Sequence, residues 1–219
     1  MKAPVNSGGS QTRQIAPEGA YPARCYQIID KGTTFDEKWG NKKRKVQFLF
    51  ELPTESAVFS EDKGEQPFYV KGVFNLTMGE KASLRKFIES WIGKKLTDAQ
   101  AGDFDITKLL GHPGMINIGH TGKEDRVYAN IMSISPLPKG LACPPAINEL
   151  LAYDTTEHDE AVFNKLPDFL KDDIRKSDEW IARTSRAAAV PAPTWEATTT
   201  AKDEPDFDSL FASDDKTPF

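Results

Sequence analysis

Lys38-Trp39-Gly40-Asn41-Lys42-Lys43-Arg44-Lys45 sets an aromatic ring beside a turn and follows it with four consecutive bases. Lysine and arginine neutralise phosphates and release the counterions condensed on a nucleic acid. An exposed ring stacks on an unpaired base for about 1–3 kcal/mol. A segment offering both suits a polyanion with exposed bases. Lysines also keep a hairpin tip soluble, and this stretch alone does not separate the two roles. The candidate phosphate ligands are Lys38, Lys42, Lys43, Arg44 and Lys45. The candidate stacking rings are Phe35, Trp39, Tyr69 and Tyr128. Trp39 stands among polar residues and is the first choice; Phe35 and Tyr128 serve equally well as core. Lys71, Lys123 and Arg126 extend the same surface if the strands curl into a barrel.

Other chemistry finds little support. The chain has no Walker loop, GxSxG, HExxH or CxxC. His112, His120 and His158 stand at unrelated spacings, so no metal site is expected. Cys25 and Cys143 lie far apart and read as reduced thiols. Acidic pairs such as Asp103/Asp105, Glu124/Asp125 and Asp172/Asp173 read as solvated faces. The expectation is binding without catalysis and without a cofactor.

A second signal is the C-terminal stretch. Ala, Pro and Thr dominate its start, then come Asp206-Phe207-Asp208 and Asp214-Asp215-Lys216-Thr217-Pro218-Phe219. An acidic run ending in Pro-Phe and a carboxylate suits capture by a partner. The carboxylate meets Arg or Lys, and Phe219 fills an apolar hole. A solubilising tail needs neither feature. The tail also competes with nucleic acid for a basic face, if it folds back.

Alternation and helical periodicity place the elements that carry these residues. Strands are expected at 20–31, 43–52, 67–78, 114–120 and 126–135. Val46, Phe48, Phe50 and Leu52 take one side of the second; Lys45, Gln47, Leu49 and Glu51 take the other. Residues 32–42 read as a long loop and 54–66 as a loop of low order. Leu84, Phe87, Ile88, Trp91 and Ile92 form a helical stripe that Gly93 stops. Asp105 caps a short helical piece over 106–110.

The order β-β-β-α-β-β is that of the OB-fold, a five-stranded barrel with a helix between strands three and four. A small α+β sandwich shares that string. Gly72 in mid-strand and the long loop before strand two favour the barrel, the glycine as a bulge or close bend. Ligands of that fold lie across strands two and three. The fold class is therefore mostly β: an OB-fold barrel over 19–140 with a helical appendage over 141–186. Pro167 splits the appendage into two helices. Residues 1–18 read as a mobile arm and 187–219 as a disordered tail.

The net charge of −5 is unevenly distributed. Residues 1–140 carry 20 Lys+Arg against 16 Asp+Glu. Residues 141–186 carry 6 against 10, and residues 187–219 carry 2 against 7. A mildly basic body thus precedes two acidic segments. No apolar run approaches a membrane span and the start has no apolar export signal, so a cytoplasmic protein is expected.

Three blocks carry a resemblance. They are Ala16-Pro-Glu-Gly-Ala-Tyr-Pro-Ala-Arg-Cys25; Gly111-His-Pro-Gly-Met-Ile with Tyr128-Ala-Asn-Ile and Ser135-Pro-Leu-Pro-Lys-Gly140; and Phe163, Leu166-Pro, Ile174 and Ser177-Asp-Glu-Trp180. The chain resembles phage-encoded single-stranded DNA-binding proteins of the OB-fold type. Its ending is similar to the acidic tip of the bacterial single-stranded DNA-binding proteins. That resemblance implies a sequence-independent coat on single-stranded DNA, in the host cytoplasm. It also implies recruitment of replication, recombination and repair proteins through Asp214, Asp215, Pro218 and Phe219. Lys216 departs from the acidic tip. The helical region has no counterpart in the bacterial proteins, so their tetramer is not carried over. Self-association on DNA stays open. So do a strand-annealing or recombination mediator and a DNA-binding accessory subunit of a replication enzyme.

Overall fold

Six strands form one curled sheet: β1 (Gly19–Asp36), β2 (Asn41–Ser60), β3 (Gly64–Asn75), β4 (Pro113–Lys123), β5 (Arg126–Ser135) and β6 (Leu151–Tyr153). The computed structural model describes residues 14–62, 64–123 and 126–189. The order is β3-β2-β1-β4-β5, antiparallel throughout, and β6 adds to β1 in parallel. β3 and β5 end that order and leave the curl open between them. Register shifts at Cys25/Gln27 and Asp30/Thr33 in β1, and at Asn117/Ile118 against β5, add the local twist that curls the sheet.

Several expectations need correction. The loop expected over 32–42 is instead a tight hairpin, because β1 runs to Asp36 and β2 starts at Asn41. The loop expected over 54–66 is also strand, the far end of a long β2–β3 hairpin. Gly72 makes no bulge; its ladder is regular, Phe48 opposite Gly72. A methyl there would meet the Phe74 ring at 2.9 Å, so the glycine serves close approach. The last residues of the expected mobile arm are held: Ala16 is buried, and its carbonyl lies 2.8 Å from His120 Nε2.

Two cores lie on opposite faces of β1 and β2. The inner core packs Val46, Phe48, Phe50 and Leu52 against Leu84, Ile88 and Trp91 of α1 (Ser83–Ile92). Phe50 and Trp91 meet edge to face at 5.0 Å. Thr97 and Gln100 form a capping box on the short α2 (Asp98–Gly102). The 106–110 piece is a 3-10 turn, Ile106–Leu109, capped by Asp105 as expected.

The outer core is built by the appendage: β6, α3 (Glu160–Lys165), α4 (Asp168–Arg175) and α5 (Asp178–Ala189). Tyr26, Ile29 and Leu49 of the sheet pack on Tyr153, Phe163, Leu170 and Ile174. Three helices replace the expected two. Pro167 begins α4, and Ser177 Oγ accepts from the Trp180 N–H to begin α5. The segment before β6 is clamped by a cross-strand pair, Arg24 and Glu51. Arg24 donates to the carbonyls of Gly111, Cys143 and Pro144 at 2.6, 2.9 and 2.8 Å. Glu51, fully buried, accepts from the N–H groups of Ile147 and Asn148 at 2.7 and 3.0 Å. Among the described residues no helix is long and apolar enough to cross a membrane.

α5 reaches β1 only because Gly32 has no side chain. Its φ is +71°, and an added Cβ would lie 2.5 Å from Ser177 Cβ. Gly32→Ala is therefore expected to destabilise the chain by about 1–3 kcal/mol, from backbone strain and displacement of α5. A lowered urea midpoint checks this.

Candidate nucleic-acid interface

The hairpin joining β1 and β2 turns at residues 37–40. The N–H groups of Trp39 and Gly40 donate to the Asp36 carbonyl at 3.1 and 2.8 Å. Asp36 pairs with Asn41, Phe35 with Lys42, Thr34 with Lys43 and Thr33 with Arg44. Alternation then sorts the basic run onto two faces. Lys43, Lys45 and Asp36 share one; Lys42, Arg44 and Phe35 share the other.

On the first face, Lys43 and Lys45 lie 3.6 and 3.5 Å from the Asp36 carboxylate. Desolvation would raise the Asp36 carboxyl, but these two ammonium groups outweigh it and hold it below the usual carboxylate range. Trp39 is 66% exposed, with the Lys43 ammonium 5.0 Å and the Lys38 ammonium 5.6 Å from its ring. A bare ring flanked by two cations presents both parts of a nucleotide contact.

The second face is turned to the appendage. Arg44 binds Asp30 at 2.6 Å, Thr156 Oγ1 at 2.7 Å and Asp154 at 3.3 Å, and approaches Glu179 at 3.9 Å. Lys42 pairs with Asp178 at 2.8 Å. Arg44 thus belongs to a structural ion cluster centred on buried Asp30, and the expected single basic surface is divided. Burial would raise the Asp30 carboxyl. Hydrogen bonds from Arg44, Thr155 and the Gly32 N–H outweigh it and hold it below its ordinary value. Phe35 is exposed beside Lys42 and is not core.

A third set of residues meets at a groove of about 850 Å³. Tyr69 and Lys71 of β3 and Tyr128 of β5 line it, over Gln47 and Leu49 of β2. The β2 side of the expected ligand face is largely covered, since Gln47, Leu49 and Glu51 are buried. What stays open is the β3 side and the hairpin end of β2. These join: Leu49 pairs with Lys71, Gln47 with Val73 and Lys45 with Asn75, so one row runs from the groove to Lys43 and Trp39. A narrower cleft of about 510 Å³ lies at the open β3–β5 seam, lined by Lys71, Lys86, Ser90 and Asn130.

Lys123 and Arg126 pair with each other at the β4–β5 turn, but their side chains lie outside the described residues. So does the whole C-terminal stretch, with Asp206, Phe207, Asp208, Asp214, Asp215, Pro218 and Phe219. Two groove rings escape the sequence reading. Phe59 sits in the segment read as loop, although Val58-Phe59 is a strand-forming pair. Phe169 falls off the Leu170/Ile174 stripe, which is the signal that it faces away from the appendage core. Comparison with protein-family models, curated proteins and solved structures returns no match.

Asp30→Asn tests the ion cluster. A carboxyl held low in the folded state stabilises it above the ordinary value of 3.8. That contribution fades as pH falls through the lowered value. The variant should lose about 3 kcal/mol at neutral pH. Its urea midpoint should fall less steeply than wild type below about pH 4.

Proposed function

We propose that this chain is a sequence-independent single-stranded DNA-binding protein built on an OB-type barrel. The strand order β3-β2-β1-β4-β5, with α1 between β3 and β4, supports that fold reading. One observation carries the function. Tyr69 and Lys71 at the groove and Lys45 at the hairpin end lie along one face of the β2–β3 pair, Lys43 continues that face on β2, and Trp39 in the β1–β2 turn lies against Lys43. Tyr69 opens that row, Lys71, Lys45 and Lys43 follow, and Trp39 closes it, so two rings flank three cations; a single strand needs both kinds of contact. From Tyr69, opposite Glu51, to Lys43 the row covers eight residue steps of β2, roughly 26 Å at about 3.3 Å per residue.

Binding would need no chemistry. Lysines would hold phosphates and the rings would hold bases. A duplex keeps its bases stacked inside and presents none to the rings. The acidic ending, Asp214 to Phe219, would recruit replication or recombination enzymes by the carboxylate-and-ring mode. That role rests on the sequence of a segment outside the described residues.

Titration of labelled oligo-dT and of a duplex of equal length, across salt, tests the reading. Oligo-dT should bind far more tightly. With Lys38, Lys43, Lys45 and Lys71 as the phosphate contacts, the slope of log K against log salt should be about −3. Duplex binding of equal strength sinks the reading. Trp39→Ala should weaken oligo-dT binding about tenfold and leave the thermal midpoint unchanged. Unaltered affinity would remove the hairpin from the site.

A further inference from the structure

The appendage does more than cover the sheet. Leu170 and Ile174 of α4 are buried against the sheet residues Ile29 and Leu49, which fixes how the helix is turned. Phe169 cannot share that face. It is 62% exposed and lines the same groove as Tyr69, Lys71 and Tyr128. No aromatic ring of the described residues stacks on it. The nearest acid in sequence, Asp168, has Lys171 at 3.4 Å. A large ring left bare on a packed helix, at the groove that Lys71 also lines, is an arrangement that desolvation alone disfavours.

We propose that Phe169 stacks on an unpaired base of single-stranded DNA, so that the appendage forms one wall of the binding groove. This rests on the single-strand reading above. Three observations select the occupant. The polar floor of the groove, Gln47 and Lys71, offers donors and positive charge. The row from Lys71 to Lys43 and Trp39 continues the groove along the sheet. Tyr69 and Tyr128 across the groove are also bare, at 51% and 40% exposure. Together with Phe169 they offer three π-faces at one opening, and every base has a face to match them. α4 is held by its own buried residues and by the Pro167 start, so Phe169 presents its ring without an ordering cost of backbone. The appendage would thus supply selectivity for unpaired bases, while the hairpin lysines supply charge.

The test uses the full chain with labelled oligo-dT and an abasic strand of the same length. Phe169→Ala should weaken oligo-dT binding about tenfold and leave the abasic strand unaffected. Phe169→Tyr should restore wild-type affinity. The salt slope should not change, because no phosphate contact is lost. A thermal midpoint equal to wild type shows that the variant is folded. Wild-type affinity of folded Phe169→Ala for oligo-dT overturns the inference. So does an equal loss on the abasic strand. In either case, a loss on Trp39→Ala leaves the single-strand reading standing. If the unaltered chain does not bind oligo-dT, the reading falls and takes the inference with it. Self-association that Phe169→Ala weakens, with oligo-dT affinity unmoved, would assign the groove to a second copy.

Discussion

Seven consecutive residues of β2, Val46 to Leu52, are buried on both faces of the sheet, and the rest of the architecture follows from that. A strand with two dry faces needs two covers. The inner cover is the coil of the sheet itself with α1 beneath it. The outer cover has to come from elsewhere in the chain, and the appendage supplies it. Glu51 shows how strict the demand is. It is fully buried, and a buried carboxylate without partners would cost several kcal/mol. The backbone N–H groups of Ile147 and Asn148 answer it, which pins the crossing segment onto the sheet. Arg24 pins the same segment through the carbonyls of Cys143 and Pro144. A charged pair in the sheet thus sets where the appendage begins.

The covers also redistribute charge. The acidic appendage is not a separate object beside a basic body. Its acids reach directly to the body's bases: Asp173 to Lys31, Asp178 to Lys42, Asp154 and Glu179 to Arg44. Each exposed pair contributes little by itself. Asp30 differs, because it is buried and its partners converge on it. The cations left to face solvent in the candidate site are therefore fewer than the run Lys42 to Lys45 suggests. On the proposed reading, affinity for a single strand would lean on rings as much as on charge.

Much of this was legible in residue pattern. The strand cores, the α1 stripe, the Gly93 stop and the Asp105 cap all fall where alternation, periodicity and capping chemistry place them. The exposure of Trp39 among polar neighbours was legible too. What failed has one physical cause. Alternation tells which residues share a face, but not whether that face is wet. Glu51 reads as solvent-facing because it is polar, yet the appendage covers it, and Gln47 is buried in the floor of the groove. The hairpin arms read as loops because polar residues and glycines dominate them, while their backbones still pair in the ladder, with register shifts at Leu52/Ser56 and Val58/Ser60 in the longer one. β6, three residues long, is too short to carry a period at all.

The open seam between β3 and β5 needs its own explanation, since unpaired strand edges invite pairing with other chains. Here Lys71 and Lys86 stand at the seam, and charged side chains at an edge oppose such pairing. Phe74 folds over Gly72 and Ile131 comes within 3.5 Å of where a Gly72 methyl would lie, so side chains fill the gap that backbone bonds leave. Full closure would draw the start of β5 against β3 and narrow the space between Tyr128 and Tyr69. Leaving the sheet unclosed keeps those two rings lining a groove of about 850 Å³. On the proposed single-strand reading, the opening that a fold has to defend against aggregation is also where a flexible polyanion would lie.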